Sequence, residues 1–192
     1  LSVVQAQQAD VPRPEFAFAV QDRKKSQDWP IQVRGEKGKN GDTPPRGFLS
    51  CVELSDEFPI PVEQSGRMQL AQWMTHPNHP LTSRVVVNRV WQHLFGRGLV
   101  ESVNNFGRSG SAPTHPLLLD WMAHRFVHQH KWSVKSLIRE IVLSRTYQMS
   151  SANNEEGWGQ DPSNQLLWRA NRRRLEAEAL RDAMLAASGQ LK

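Results

Sequence analysis

From residue 65 onward, apolar side chains recur at intervals of three and four, the spacing that aligns one face of an α-helix. The pattern predicts five helices, over residues 66–75, 83–95, 116–129, 134–144 and 173–187. In the second, Val86, Val87, Val90, Trp91, Leu94 and Phe95 form the apolar set; Thr82 or Ser83 stands where a helix is capped, and Gly96 supplies a left-handed stop. The third has Thr114 as its cap, Pro116 in its first turn, and Leu118, Trp121, Met122 and Phe126 on the inward face. The fourth is capped by Ser133 and turns Leu137, Ile138, Ile141 and Val142 inward. Ahead of residue 62 the periodicity breaks. Residues 12–61 carry Pro30, Pro44, Pro45, Pro59 and Pro61 with Gly35, Gly38, Gly41 and Gly47, between strand-like runs at residues 16–20 and 31–34. Residues 1–10 read as the frayed end of a helix. The expected fold is mainly α: an irregular β-containing N-terminal arm, residues 1–61, followed by about five packed helices in a helical domain, residues 62–192. The two parts are expected to make one globular unit, a fragment of a larger protein, since the chain does not start with Met and shows no signal-peptide pattern.

The second helix also carries Arg84, Asn88, Arg89 and His93, a polar strip that must be either solvated or built into a network. With Arg169, Asn171, Arg172, Glu176 or Glu178 opposite, it would be a cross-helix network, in the core to hold register or in a cleft to bind an anionic sugar or carboxylate. Arg84, Asn88, Arg89, His93 and His115 are therefore the ligand-binding candidates, His115 having a structural role at the entry to the third helix as its alternative. Arg89, beside Val90 and Trp91, is expected to insert its stem among packed groups, so its removal should damage folding. The connection at residues 96–114, rich in Gly, Ser and Asn, is long enough to be functional or mobile. Residues 150–164 read as a surface loop or hinge.

Charge changes the picture less than its size suggests. The net charge of +5 sits in clusters at residues 23–25, 37–39 and 172–174. Within the last helix, Arg172, Arg174 and Arg181 are expected to pair with Glu176, Glu178 and Asp182, which argues against specific nucleic-acid binding. The 192 residues, 38% hydrophobic with seven Trp and seven Phe, suffice for a sizeable core, and no apolar run reaches the ~20 residues of a membrane span. Cys51 is the single cysteine, so this segment holds no internal disulfide, no Cys-based zinc site and no CxxCH haem attachment; in FLSCVELS it reads as a buried structural thiol.

No complete catalytic set appears. GRSGSAPT lacks the strand that precedes a nucleophile elbow, and the glycines of GEKGKNGDTPP match no phosphate-binding order. His124 and His128 are four apart on one helical face, but HRFVH lacks the glutamate of HExxH and no third ligand is indicated, so a solvated face and no metal site are expected.

The stretch LAQWMTHPNHPLTSRVVVNRVWQHLFGRGLVESVNNFGRSGSAPTHPLLLDWMAHRF closely resembles the C-terminal domain of planctomycete cytochrome-like surface proteins, domain of unknown function 1553. The resemblance continues through HKWSVKSLIREIVLSRTYQMSS and DPSNQLLWRANRRRLEAEALRDAMLAASGQL, and more loosely back to residue 31. His76 and His79 depart from it, standing where the family usually has Asp, Ser or Asn. The resemblance implies a signal peptide and often a cytochrome c-like domain in the parent, hence export to the periplasm or cell surface and haem in a neighbouring domain, with no cofactor in this segment. Together with the absence of a complete catalytic set, it leads to the expectation of a noncatalytic scaffold, or a ligand- or partner-binding module, whose partners are other domains of the same polypeptide. The alternative is an enzyme domain acting on an extracellular polysaccharide or other polar substrate through the Arg/Asn/His site.

Overall fold

The structure, a computed structural model, describes residues 19–22 and 24–191. The strand-like run at residues 16–20, the N-terminal residues 1–10 and Arg23 of the first basic cluster thus lie wholly or partly outside the described residues. The described residues form six helices and no named strand: α1 (Arg67–Met74), α2 (Thr82–Phe95), α3 (Pro116–His128), α4 (Val134–Val142), α5 (Glu155–Gln160) and α6 (Ala177–Ala187). The mainly α class holds. The chain separates into two compact units, Leu1–Trp73 and Met74–Lys192.

In the first unit, a 3-10 turn at Val33–Gly35 sits inside a small antiparallel loop whose one bridge pairs Gln32 with Asn40. Ile31 N–H donates to the Asp42 carbonyl at 2.8 Å and Gly41 N–H to that of Ile31 at 2.7 Å. Arg46 gathers the irregular chain around it, giving Nε to Asp28 at 2.5 Å and Nη2 to the Val62 carbonyl at 3.2 Å. Phe48 stacks on Trp73 at 5.4 Å and meets Phe58 edge-on at 6.0 Å. Cys51 corrects the sequence expectation: it is exposed, because the FLSCVELS run forms a turn rather than a buried strand.

In the second unit, α2 packs across α3 and α4. Its buried side chains, Ser83, Val87, Asn88, Trp91 and Phe95, fall at helical spacing, and Val87, Trp91 and Phe95 cluster with Leu119, Met122 and Phe126 of α3 and Leu137 and Ile141 of α4. Leu99 and Val100, from the long connection after α2, are also buried there. That connection is tied internally: Thr114 N–H donates to the Leu99 carbonyl at 2.8 Å, and Ser111 N–H to Ser102 Oγ at 2.8 Å. Two inward assignments fail. Trp121 is 51% exposed and Ile138 38%, since each lies about 100° around its helix from the buried Met122 or Leu137. Trp121 instead carries the Arg125 guanidinium 4.7 Å above its ring.

Helix starts also depart from expectation. Ser133 caps α4 as predicted, accepting from Ser136 N–H at 3.3 Å. Neither Thr82 nor Ser83 caps α2; the buried His79 does so, Nδ1 accepting from the N–H of Leu81 at 3.3 Å and of Thr82 at 3.2 Å. Thr114 bonds Leu99 rather than capping α3, whose N-cap residue is His115. Residues 155–160 form α5, capped by Asn154 Oδ1 on Gly157 N–H at 2.6 Å, where a loop was expected. The last helix starts at Ala177 rather than at residue 173: residues 173–176 are not helical, and Arg173 is drawn to the carbonyls at the end of α2.

The His79 cap requires an unprotonated Nδ1. Burial, and then the nearby His76 charge, lower its pKa from 6.5. Between that lowered value and 6.5 the unfolded chain binds more protons than the folded one, so acid favours unfolding. Stability from this group is complete above pH 6.5 and lost as pH falls below it. Thermal melts of the wild type should therefore fall between pH 7 and pH 5 (about the range in which histidine titrates), and His79→Asn, a neutral capping residue, should flatten that fall. Equal pH slopes in the two proteins would refute the assignment.

Candidate functional site

The five ligand-binding candidates occupy separate places. Arg84 donates Nε to Asp120 Oδ1 of α3 at 2.6 Å and Nη1 to the Pro80 carbonyl. Both side chains are well exposed, so this pair contributes about 0–1 kcal/mol. Asn88 is fully buried, with Nδ2 donating to the Val100 carbonyl at 3.0 Å and Oδ1 accepting from Val100 N–H at 2.9 Å. It thus serves one residue's two backbone groups as a β-ladder partner would. Arg89 is exposed and donates Nη2 to Asn104 Oδ1 at 3.1 Å. His115 Nδ1 lies 3.0 Å from Thr114 Oγ1. His93 is exposed near the end of α2.

The exposure of Arg89 corrects the expectation of an inserted stem. Arg89→Ala should change stability by about 0–1 kcal/mol, the range for a solvent-exposed polar contact. Urea melts check this, and a loss above about 3 kcal/mol, the scale of a stranded buried partner, would contradict the structure.

Of the five, His93 opens into a cleft of about 580 Å³ at the C-terminus of α2. Its walls include Tyr147, Asn171, Arg173, Arg174 and Glu176. The cleft exists because of how α2 ends. Gly96 takes φ 83° and donates its N–H to the Gln92 carbonyl at 2.7 Å, which turns the chain and leaves the last carbonyls unpaired within the helix. Arg173 Nη1 donates to the Leu94 carbonyl at 2.8 Å and to that of His93, and Asn171 Nδ2 to that of Phe95 at 3.2 Å. A guanidinium at a helix C-terminus also offsets the negative end of the macrodipole. A Cβ on Gly96 would meet Arg173 Cδ at 3.0 Å, so this position calls for glycine on two grounds.

Residues 161–169 hold Asn171 in place. Asn164, buried, donates Nδ2 to Asn171 Oδ1 and to the Arg169 carbonyl, each at 2.8 Å. Asp161 Oδ2 accepts from Leu166 N–H at 2.7 Å, and this bond chiefly holds its carboxyl below the usual carboxylate range. Trp168 Nε1 donates to the Asp161 carbonyl at 2.9 Å. Asp161, Asn164 and Arg173 carry this geometry, though sequence reasoning did not nominate them. The available signal was DPSN, a run of residues that bond their own backbone in turns.

The cross-helix network is therefore reduced to the end of α2, where Asn171 meets the helix backbone and Glu176 shares the cleft with His93. Among the ion-pair candidates, Arg181 and Asp182 pair at 3.4 Å. Arg174 and Glu176 line the cleft, while Arg172 and Glu178 lie exposed. The fixed charges of the lining, two arginines against one glutamate, sum to a positive cleft. His124 and His128 are exposed on α3, whereas His130 meets Glu140 at 2.5 Å, with Arg125 on the other carboxylate oxygen at 2.8 Å.

Residues 66–192 match the family model PSD1, described as a protein of unknown function (DUF1553). No curated protein and no solved structure matches the chain.

Proposed function

The chain belongs to the DUF1553 family, and we propose that it is a noncatalytic binding module of an exported, cytochrome-like multidomain protein, whose partner is another domain of the same polypeptide. One observation carries this reading. The cleft at the end of α2 is held open by residues engaged in backbone capping, while Arg84, Asn88, Arg89 and His115 are each committed to a structural bond elsewhere. A site for hydrolysing a polysaccharide needs its acid, base and binding groups within reach of one bond. The dispersal of these four favours docking over that alternative. Tyr147 and the apolar Leu94, Phe95 and Leu175 offer contact area, and Arg174 offers charge, a combination suited to an acidic segment of a neighbouring domain. Haem and electron transfer belong in this reading to the neighbour, since a CxxCH attachment needs two cysteines and this segment has one. No described helix is long and apolar enough to cross a membrane.

Hydrogen exchange on the intact parent polypeptide and on this chain alone tests the proposal. Amides at residues 93–95 and 170–179 should exchange more slowly when the remaining domains are present. Identical exchange in the two preparations would overturn it, as would haem bound by this segment alone.

A further inference from the structure

Outside the cleft, a pair of metal-ligating side chains lies on α3. His124 and His128 are one helical turn apart, and both are exposed. Their rings already face each other, with centroids 4.3 Å apart and planes inclined by 35°. Two imidazoles one turn apart on a formed helix present their nitrogens to a single ion without any further ordering of the backbone, which removes most of the entropy cost of chelation. The nearest cation does not oppose this. Arg125 spends its charge on Glu140 at 2.8 Å and on the Trp121 ring at 4.7 Å. One turn before, Asp120 is held by Arg84, and no set of three His, Cys, Asp or Glu side chains converges among the described residues.

We propose that His124 and His128 form a surface chelate for a divalent transition-metal ion of the imidazole-preferring class, zinc, nickel or copper. Two protein ligands leave the remaining positions to water, so the ion is exchangeable and the fold does not depend on it. HRFVH places no glutamate between the histidines, so the site binds metal without the general base of a zinc peptidase. The exposed face predicted from the sequence thus acquires a ligand class.

Calorimetric titration of the full chain with nickel chloride tests this; nickel spares the exposed thiol of Cys51 the oxidation that copper would bring. One ion per chain is expected. Loss of a supporting outer-shell group alone costs about 10–100-fold in metal affinity, so His124→Ala and His128→Ala should each lose at least about 10-fold. His93→Ala should titrate as wild type. Alanine favours the helix at both exposed positions, so the variants should fold. Nickel should also raise the melting temperature of the wild type and leave that of the double variant unmoved. A double variant that titrates like the wild type, or a wild type that neither binds nor is stabilised at millimolar nickel, overturns the proposal.

Discussion

Replacing Asn88 by alanine is expected to lower unfolding free energy by about 2–6 kcal/mol, because it strands two buried backbone groups at roughly 1–3 kcal/mol each. The amide is wholly inaccessible, and its two bonds, at 3.0 and 2.9 Å, are made to the N–H and carbonyl of Val100. Val100 is itself buried, which leaves water no approach to the freed groups. Asn88→Asp should do as badly at neutral pH, since it exchanges the donor to the Val100 carbonyl for a charge in the core. Gly98 belongs to the same arrangement. A Cβ there would lie 2.5 Å from the Val100 carbonyl oxygen and 2.9 Å from both polar atoms of Asn88. Gly98→Ala should therefore be destabilising, and its effect should not add to that of Asn88→Ala, because both act by breaking the same contact. Urea melts followed by tryptophan fluorescence give all three values. An Asn88→Ala protein within about 0.5 kcal/mol of wild type, the scatter of ordinary surface changes, would show that the amide does not hold the connection to the core.

Phe126→Ala should cost about 3–5 kcal/mol, the range for removing a buried aromatic ring. Phe126 is 1% exposed at the centre of the cluster that joins α2, α3 and α4, and Trp132 meets it edge-on at 5.3 Å. The turn between α3 and α4 depends on that contact. Lys131 and Trp132 both take positive φ, 49° and 65°, which disfavours side chains other than glycine. Trp132 packing on Phe126 offsets that strain, together with the bond from Trp132 N–H to the Phe126 carbonyl at 2.9 Å. Truncation should thus reduce the near-ultraviolet circular dichroism of the folded protein as well as its stability. A loss under about 1 kcal/mol, with the spectrum unchanged, would mean that the ring is not central to the core.

The residues legible from sequence share one property: their surroundings lie within a turn of helix. Ser133 as a cap, Gly96 as a stop, the inward Leu137 and Phe126, and the exposed His124 and His128 follow from spacings of three or four. Where these readings failed, the local backbone conformation or the phase of the helix differed from the assignment. Cys51 sits in an apolar run yet faces solvent, because that run makes a turn rather than a strand. Trp121 is as apolar as its neighbours, but it lies off the stripe and serves Arg125. The candidate site was half visible. His93, Arg174 and Glu176 were marked by their chemistry, while Asp161, Asn164 and Arg173 were not, because turn-forming residues resemble one another until their partners are known.

The sequence by itself determined that this protein is mainly helical, that the described residues ahead of α1 are irregular and that the core of the second unit is built on α2 to α4, because hydrophobic periodicity is a local property that survives without knowledge of contacts. Only the tertiary structure decided that Asn88 is buried against Val100, that Arg89 faces solvent, and that Asn171 and Arg173 close the end of α2, some 76 and 80 residues along the chain from the carbonyls they reach. A polar side chain on a helix has the same pattern whether water or a backbone group satisfies it. Which of the two it meets is set by where the chain returns, and that is determined by packing of the whole unit.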